Sequence, residues 1–256
     1  MMHGLHKFLL FHVLTCLRQN GLGSEIINGK KAKKSLLYMA SVQVNRSHKC
    51  GGFLISEDFV VTAAHCDSPH PMSVVLGTNN LRKVVDDTMR YNVMKYKHPD
   101  YVDILSGNDI MLLKLSRKAH LGKKPIKPIK LPSHHMNLKG IKKCSVAGWG
   151  FTRTGGQIVD ELREVNVSII KLKVCKDKWL PGVKFPHNII CAGGYGTDKG
   201  FCQGDSGGPL VCNGIAVGVV SFNNGGNCDY PDVPNIYTDI SKFIPWINVF
   251  LKKNNS

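Results

Sequence analysis

The apolar positions of this chain fall in short runs. "FVVTAAHC" (59–66), "MLLKL" (111–115), "CSVAGWG" (144–150) and "PLVCNGIAVGVVSF" (209–222) are apolar or β-branched, with Gly, Asn and Pro between them. Such spacing predicts the short strands of an all-β sandwich or barrel. The period changes near the carboxyl end. Ile240, Phe243, Ile244, Ile247, Phe250 and Leu251 recur every three or four residues, one face of a helix docked on the body, with Asp239 and Ser241 as candidate caps. No stretch approaches the roughly 20 apolar residues that span a bilayer. At the amino end, Lys7 precedes "FLLFHVLTCL" (8–17), and Gly21-Leu22-Gly23 follows. A charged start, an apolar run and a small-x-small site predict a secretory signal over residues 1–23. A buried helix is the alternative for the same run, and the cysteines favour the signal.

There are nine cysteines. Cys16 falls in the signal, which leaves Cys50, Cys66, Cys144, Cys175, Cys191, Cys202, Cys212 and Cys228. An even set in a secreted chain predicts disulfides, with the connectivity open. No C-x-x-C pair is present, and His65-Cys66 are adjacent, which argues against tetrahedral zinc; no metal or other cofactor is expected. The 256 residues carry a net charge of +16. Removing residues 1–25 takes away Lys7, Arg18 and Glu25 and leaves +15. The runs "KKAKK" (30–34) and "GKKPIKPIK" (122–130) read either as a solvated face or as a surface for a polyanion such as a proteoglycan or heparin-like glycan. No nucleic-acid recognition motif accompanies the charge.

Three short motifs carry chemistry. A serine hydroxyl is a weak nucleophile until a base takes its proton. "GDSGGP" places Ser206 among glycines, "TAAHC" offers His65 as the base, and "NDIMLL" offers Asp109 to orient it. Each residue alone means little. The order His, Asp, Ser is one of the known chain orders of the catalytic triad.

On these motifs the chain resembles the trypsin/chymotrypsin-like serine proteases from Ile26 to about Leu251, giving one peptidase S1 domain over 26–256. "IINGKKAKKSLLYMASVQ", "CGGFLI", "VVLGTNNL" and "LREVNVSIIKLKVC" are similar to granzymes A and K. The resemblance implies two six-stranded antiparallel β-barrels with a C-terminal helix and the active site between them. It also implies the pairs Cys50–Cys66, Cys144–Cys212, Cys175–Cys191 and Cys202–Cys228. It implies activation by a cut before Ile26, whose new ammonium would pair with Asp205 and shape an oxyanion hole from the N–H groups of Gly204 and Ser206. The acidic dipeptide Ser24-Glu25 resembles the propiece of granzyme zymogens, which a dipeptidyl peptidase removes. Serpin-type inhibitors, protein or peptide substrates and a secreted or cytolytic-granule location follow from the same likeness. Granzyme A dimerises through a cysteine in the loop before its triad aspartate; "KHPDYVDILSGND" has none, which implies a monomer.

The primary pocket is expected around Gly200, Phe201, Gln203, Ser221, Phe222, Asn223 and Asn235. Gly200 stands where tryptic members carry an aspartate, so cleavage after Arg or Lys is not expected. Asn223 and Asn235 should narrow the pocket, with Phe201 on its floor, and favour Ala, Val, Thr or Met. Asp198 is offset from the base. Sequons at Asn45, Asn166 and Asn254 predict glycosylation at the first two. Thr78-Asn79-Asn80 lacks the glutamates of a calcium loop. The competing function is a catalytically weak protease-fold protein that binds polyanions through its basic face.

Overall fold

The computed structural model describes residues 26–32, 36–120, 126–133, 138, 143–179, 185–230 and 232–253. The expected signal, the Ser24-Glu25 dipeptide and the Asn254 sequon lie outside them. After β1 (Lys30–Lys31), the strands β2 (Met39–Val44), β3 (Ser47–Leu54), β4 (Phe59–Thr62), β5 (Met72–Leu76), β6 (Arg90–Lys97) and β7 (Met111–Leu115) form a closed antiparallel barrel in the order β2-β3-β4-β7-β6-β5. The β2–β3 hairpin turns at Asn45 and Arg46, both with positive φ, 49° and 67°. A type I′ two-residue hairpin loop requires that backbone at both positions, and asparagine tolerates it better than most residues. Val42, Phe53, Leu54, Val60, Val74, Leu112 and Leu113 fill the barrel.

The second half is one sheet of β8 (Cys144–Gly148), β9 (Arg163–Val167), β10 (Ile169–Ile170), β11 (Ile189–Ala192), β12 (Pro209–Cys212), β13 (Ile215–Phe222) and β14 (Asn235–Asp239), with β1 added at one edge. Its order is β1-β9-β8-β12-β13-β14-β11-β10. This departs in detail from two equally closed barrels: one barrel is closed and the other half is an open ladder. The two ends nonetheless meet. β9 and β10 are one stretch of chain interrupted at Ser168, whose carbonyl accepts the Gly193 N–H at 3.0 Å. The sheet therefore curls around its own core of Val146, Val165, Leu210, Val217, Val220 and Tyr237.

The helical period at the carboxyl end resolves into a 3₁₀ turn, Ile240–Lys242, and an α-helix, Ile244–Lys253. Asp239 is the cap: its carboxylate accepts the Ser241 N–H at 3.0 Å and the Ser241 hydroxyl at 2.7 Å. The segment follows the second sheet in the chain but docks on the first barrel. Ile240, Phe243 and Ile247 enter that core, and Phe250 lies 4.7 Å from the Tyr96 ring. The two halves are thus joined by a buried apolar clamp.

Four disulfides are present: Cys50–Cys66, Cys144–Cys212, Cys175–Cys191 and Cys202–Cys228. They use every cysteine from Ile26 onward. A chain beginning at Ile26 should therefore show no free thiol when titrated in denaturant, and should run as a monomer on a non-reducing gel. A titratable thiol or a reducible dimer would contradict this pairing.

Candidate active site

His65 lies on the 3₁₀ turn Ala64–Cys66 that follows β4, and Asp109 sits two residues before β7. The loop carrying Ser206 comes from the second half, between β11 and β12. Asp109 is 1% exposed, and its donors come from both halves. The His65 backbone N–H donates to Oδ1 at 2.9 Å and the His65 Nδ1 to Oδ2 at 2.7 Å. From the second sheet, the Ser221 hydroxyl donates to Oδ2 at 2.5 Å, and Thr238 Oγ1 donates to the Asp109 carbonyl at 3.0 Å. The β13–β14 register slips between Val220 and Phe222, which makes Ser221 the unpaired residue of a bulge. A bulge re-aims one side chain, and here it turns Ser221 toward Asp109. Burial pushes the Asp109 carboxyl up, but the bonds from His65 and Ser221 outweigh it and hold the group below its ordinary range.

The Ser206 loop is fixed against the first barrel. The Gly51 N–H of β3 donates to the Ser206 carbonyl at 2.8 Å. The Gly207 N–H donates to Val220, also at 2.8 Å. Gly207 has φ 81°, and a Cβ there would overlap Thr62 Oγ1, so only glycine allows this approach. The Cys50–Cys66 disulfide ties the His65 turn to β3 beside the same loop.

His48, which the motifs did not single out, holds the loop from behind. Burial pushes its pKa down to about 4, against the Gly204 carbonyl that pulls it up, so the ring is neutral. A carbonyl can only accept, so Nε2 donates to the Gly204 oxygen at 2.9 Å and Nδ1 accepts from the Ser41 hydroxyl at 2.8 Å.

Asp205 is fully buried. Its carboxylate accepts the Gly150 N–H at 2.8 Å and the Cys202 N–H at 2.9 Å. Burial pushes its pKa up to about 7, with the two N–H bonds pulling against it. Gly148 leaves room for this carboxylate, which a Cβ would overlap. The Ile26 side chain is buried in the core of the second half with Cys144 and Val146, and Ile27 packs beside Cys202 and Cys228.

The expected pocket residues divide. Gly200, Asn223 and Asn235 converge on one space, with Gln203 bridging to the Gly226 carbonyl at 2.8 Å. Ser221 turns its hydroxyl to Asp109 instead, and the Phe222 side chain is buried against Trp179, 5.5 Å between ring centroids, in a core cluster and not in the pocket. Phe201 is corrected: its side chain is 3% exposed and lies edge-on to Tyr237 at 5.3 Å, in the core rather than on a pocket floor. Asp198 is exposed, and its backbone carbonyl accepts from the Asn28 side chain at 2.8 Å. Tyr230, passed over in the sequence, enters the space near Gly200. It sits in a loop whose direction no periodicity encodes. Asn45 and Asn166 are both exposed.

A family model described as Trypsin matches residues 26–247. Duodenase-1 of Bos taurus is 39% identical over 250 residues, 96% of each chain. Granzyme B of Rattus norvegicus is 38% identical over 255 residues, 97% of this chain and 100% of its own. Chymase of Canis lupus familiaris is 39% identical over 266 residues, 100% of both. The narrower likeness to granzymes A and K rests on the sequence motifs alone. The chain belongs to the trypsin family and is a chymotrypsin-type serine endopeptidase.

Proposed function

We propose that this chain is the zymogen of a secreted or granule-stored serine protease of granzyme type, with non-tryptic specificity. Ser206, His65 and Asp109 form its triad. The observation that carries the reading is the His65–Asp109–Ser221 arrangement built across both halves beside the fixed Ser206 loop. His65 takes the Ser206 proton as the hydroxyl oxygen attacks the peptide carbonyl. The N–H groups of Gly204 and Ser206 hold the oxyanion, and His48 supports them by fixing the Gly204 carbonyl. Protonated His65 then gives its proton to the leaving amine, and water releases the acyl group by the same steps in reverse. Asp109 keeps Nδ1 protonated, so Nε2 is the basic nitrogen.

Activation is removal of Ser24-Glu25 by a dipeptidyl peptidase. The freed Ile26 ammonium would supply the cation that the Asp205 carboxyl needs to ionise inside the protein. Exposed Lys30, Lys31, Lys127 and Lys130 belong to the two basic runs and would serve adhesion to a granule polyanion. Exposed Asn45 and Asn166 would accept glycans, and serpin-type inhibitors would engage the cleft as substrates do.

The catalytic assignment is checked with a serine-directed fluorophosphonate on protein matured to Ile26. Labelling should be complete in the wild type and absent in Ser206→Ala, while Asp109→Asn should lower kcat by about 10⁴. A matured wild type that does not label would refute the triad.

The latch predicts a pH signature. A buried acid whose pKa lies above its unfolded value stabilises the fold below the unfolded value, and that contribution is lost as pH rises through the folded one. In Ser206→Ala protein retaining Ser24-Glu25, thermal stability should fall as pH rises from about 4 to about 7, and Asp205→Asn should flatten the curve. Matured protein, with its ammonium in place, should lack this fall. Full peptidase activity in the uncut form would contradict the latch.

A further inference from the structure

Residue 200 is glycine because the space beyond its Cα is taken. A Cβ there would lie 2.8 Å from Tyr230 Cζ, and closer still to Tyr230 Cε2 and Asn235 Oδ1. The Tyr230 hydroxyl donates to the Phe201 carbonyl at 2.5 Å and accepts from Asn235 Nδ2 at 2.8 Å. Asn223 Nδ2 approaches the same oxygen at 3.4 Å. Asn235, fully buried, accepts the Phe201 N–H at 3.3 Å. The hydroxyl thus closes a ring of bonds with Phe201 and Asn235, and the Cys202–Cys228 disulfide anchors the loop two residues away. Burial pushes the phenol up to about 12, so it remains a neutral donor at physiological pH.

The location follows from the triad. Ser221 bonds Asp109, and Gln203 bridges to Gly226. The segments 200–206 and 221–230 thus run side by side away from Ser206. On the triad reading above, these are the segments that would flank the substrate side chain next to the carbonyl Ser206 attacks.

We propose that Tyr230 is a specificity-determining plug that closes the base of this pocket, so that the substrates are peptides with a small or medium uncharged residue on the acyl side of the cut. This rests on the triad reading above. A long cation would meet the neutral Tyr230 hydroxyl and Asn235 amide at that base, and neither can pair its charge. A large ring would need the volume the Tyr230 ring already holds.

The test profiles matured wild type, Tyr230→Ala and Tyr230→Phe on a peptide library varied at the acyl-side residue. Each rate is normalised to the fraction of Ser206 that reacts with a small fluorophosphonate. Wild type should prefer Ala, Val or Thr. In Tyr230→Ala, kcat/KM for Leu or Phe relative to Ala should rise at least about tenfold, the low end of what a methylene-sized change in a pocket does. Tyr230→Phe keeps the ring and should keep the size limit. If Tyr230→Ala does not fold, Tyr230→Leu carries the same expectation to a smaller degree. A wild type that prefers Phe, Arg or Lys overturns the plug, as does an unchanged profile in a labelled Tyr230→Ala. Failure of wild type to label would instead count against the triad, so the two readings fail separately.

Discussion

The site depends on one buried charge. Asp109 is 1% exposed, and a carboxylate so placed stays ionised only if donors replace the water it has lost. His65 supplies two donors from the first barrel and Ser221 one from the second sheet, while Thr238 holds the main chain in place. Neither half satisfies Asp109 alone. The proposed triad therefore depends on the docked pair, and the docking is secured elsewhere by Gly51 on the Ser206 carbonyl and by the C-terminal helix on the first barrel.

Asp205 shows the converse. It is as deeply buried, but its carboxylate bonds two backbone N–H groups, and its pKa stands near 7 where that of Asp109 stays low. The difference is in the donors: a histidine ring, a hydroxyl and one backbone amide on Asp109, and two backbone amides alone on Asp205. An acid poised in this way responds strongly to one added cation, because pairing removes a desolvation cost that the two N–H bonds only partly offset. That responsiveness suits a switch, and the loop it would act on is the one that His48 braces at Gly204.

The pocket is built by substitution of one volume for another. Where residue 200 ends at its Cα, Tyr230 and Asn235 fill the space and satisfy each other's polar atoms. Under the proposed plug, size and charge selection would come from the same few groups, because a base made of a neutral hydroxyl and amide can neither pair a cation nor yield to a ring. The proposed chemistry at Ser206 would be separable from this choice, since Tyr230, Asn223 and Asn235 make none of the bonds to Asp109.

The strands β4, β7, β8, β12 and β13 and the C-terminal amphipathic face were legible in the sequence as apolar runs and a helical period: "MLLKL" coincides with β7, and Ile240, Phe243 and Ile247 are the buried face. So were the chemical types and chain order of His65, Asp109 and Ser206, and the absence of a charge at Gly200. What only the tertiary structure decided were the directions of loop and bulge side chains. Phe201 turned into the core, Tyr230 turned into the pocket, His48 found Gly204 across 156 positions, and the second sheet met itself at Ser168. These residues follow no period. Their orientation is set by partners distant in the chain, and a polar atom's partner becomes known only once packing has closed off the alternatives.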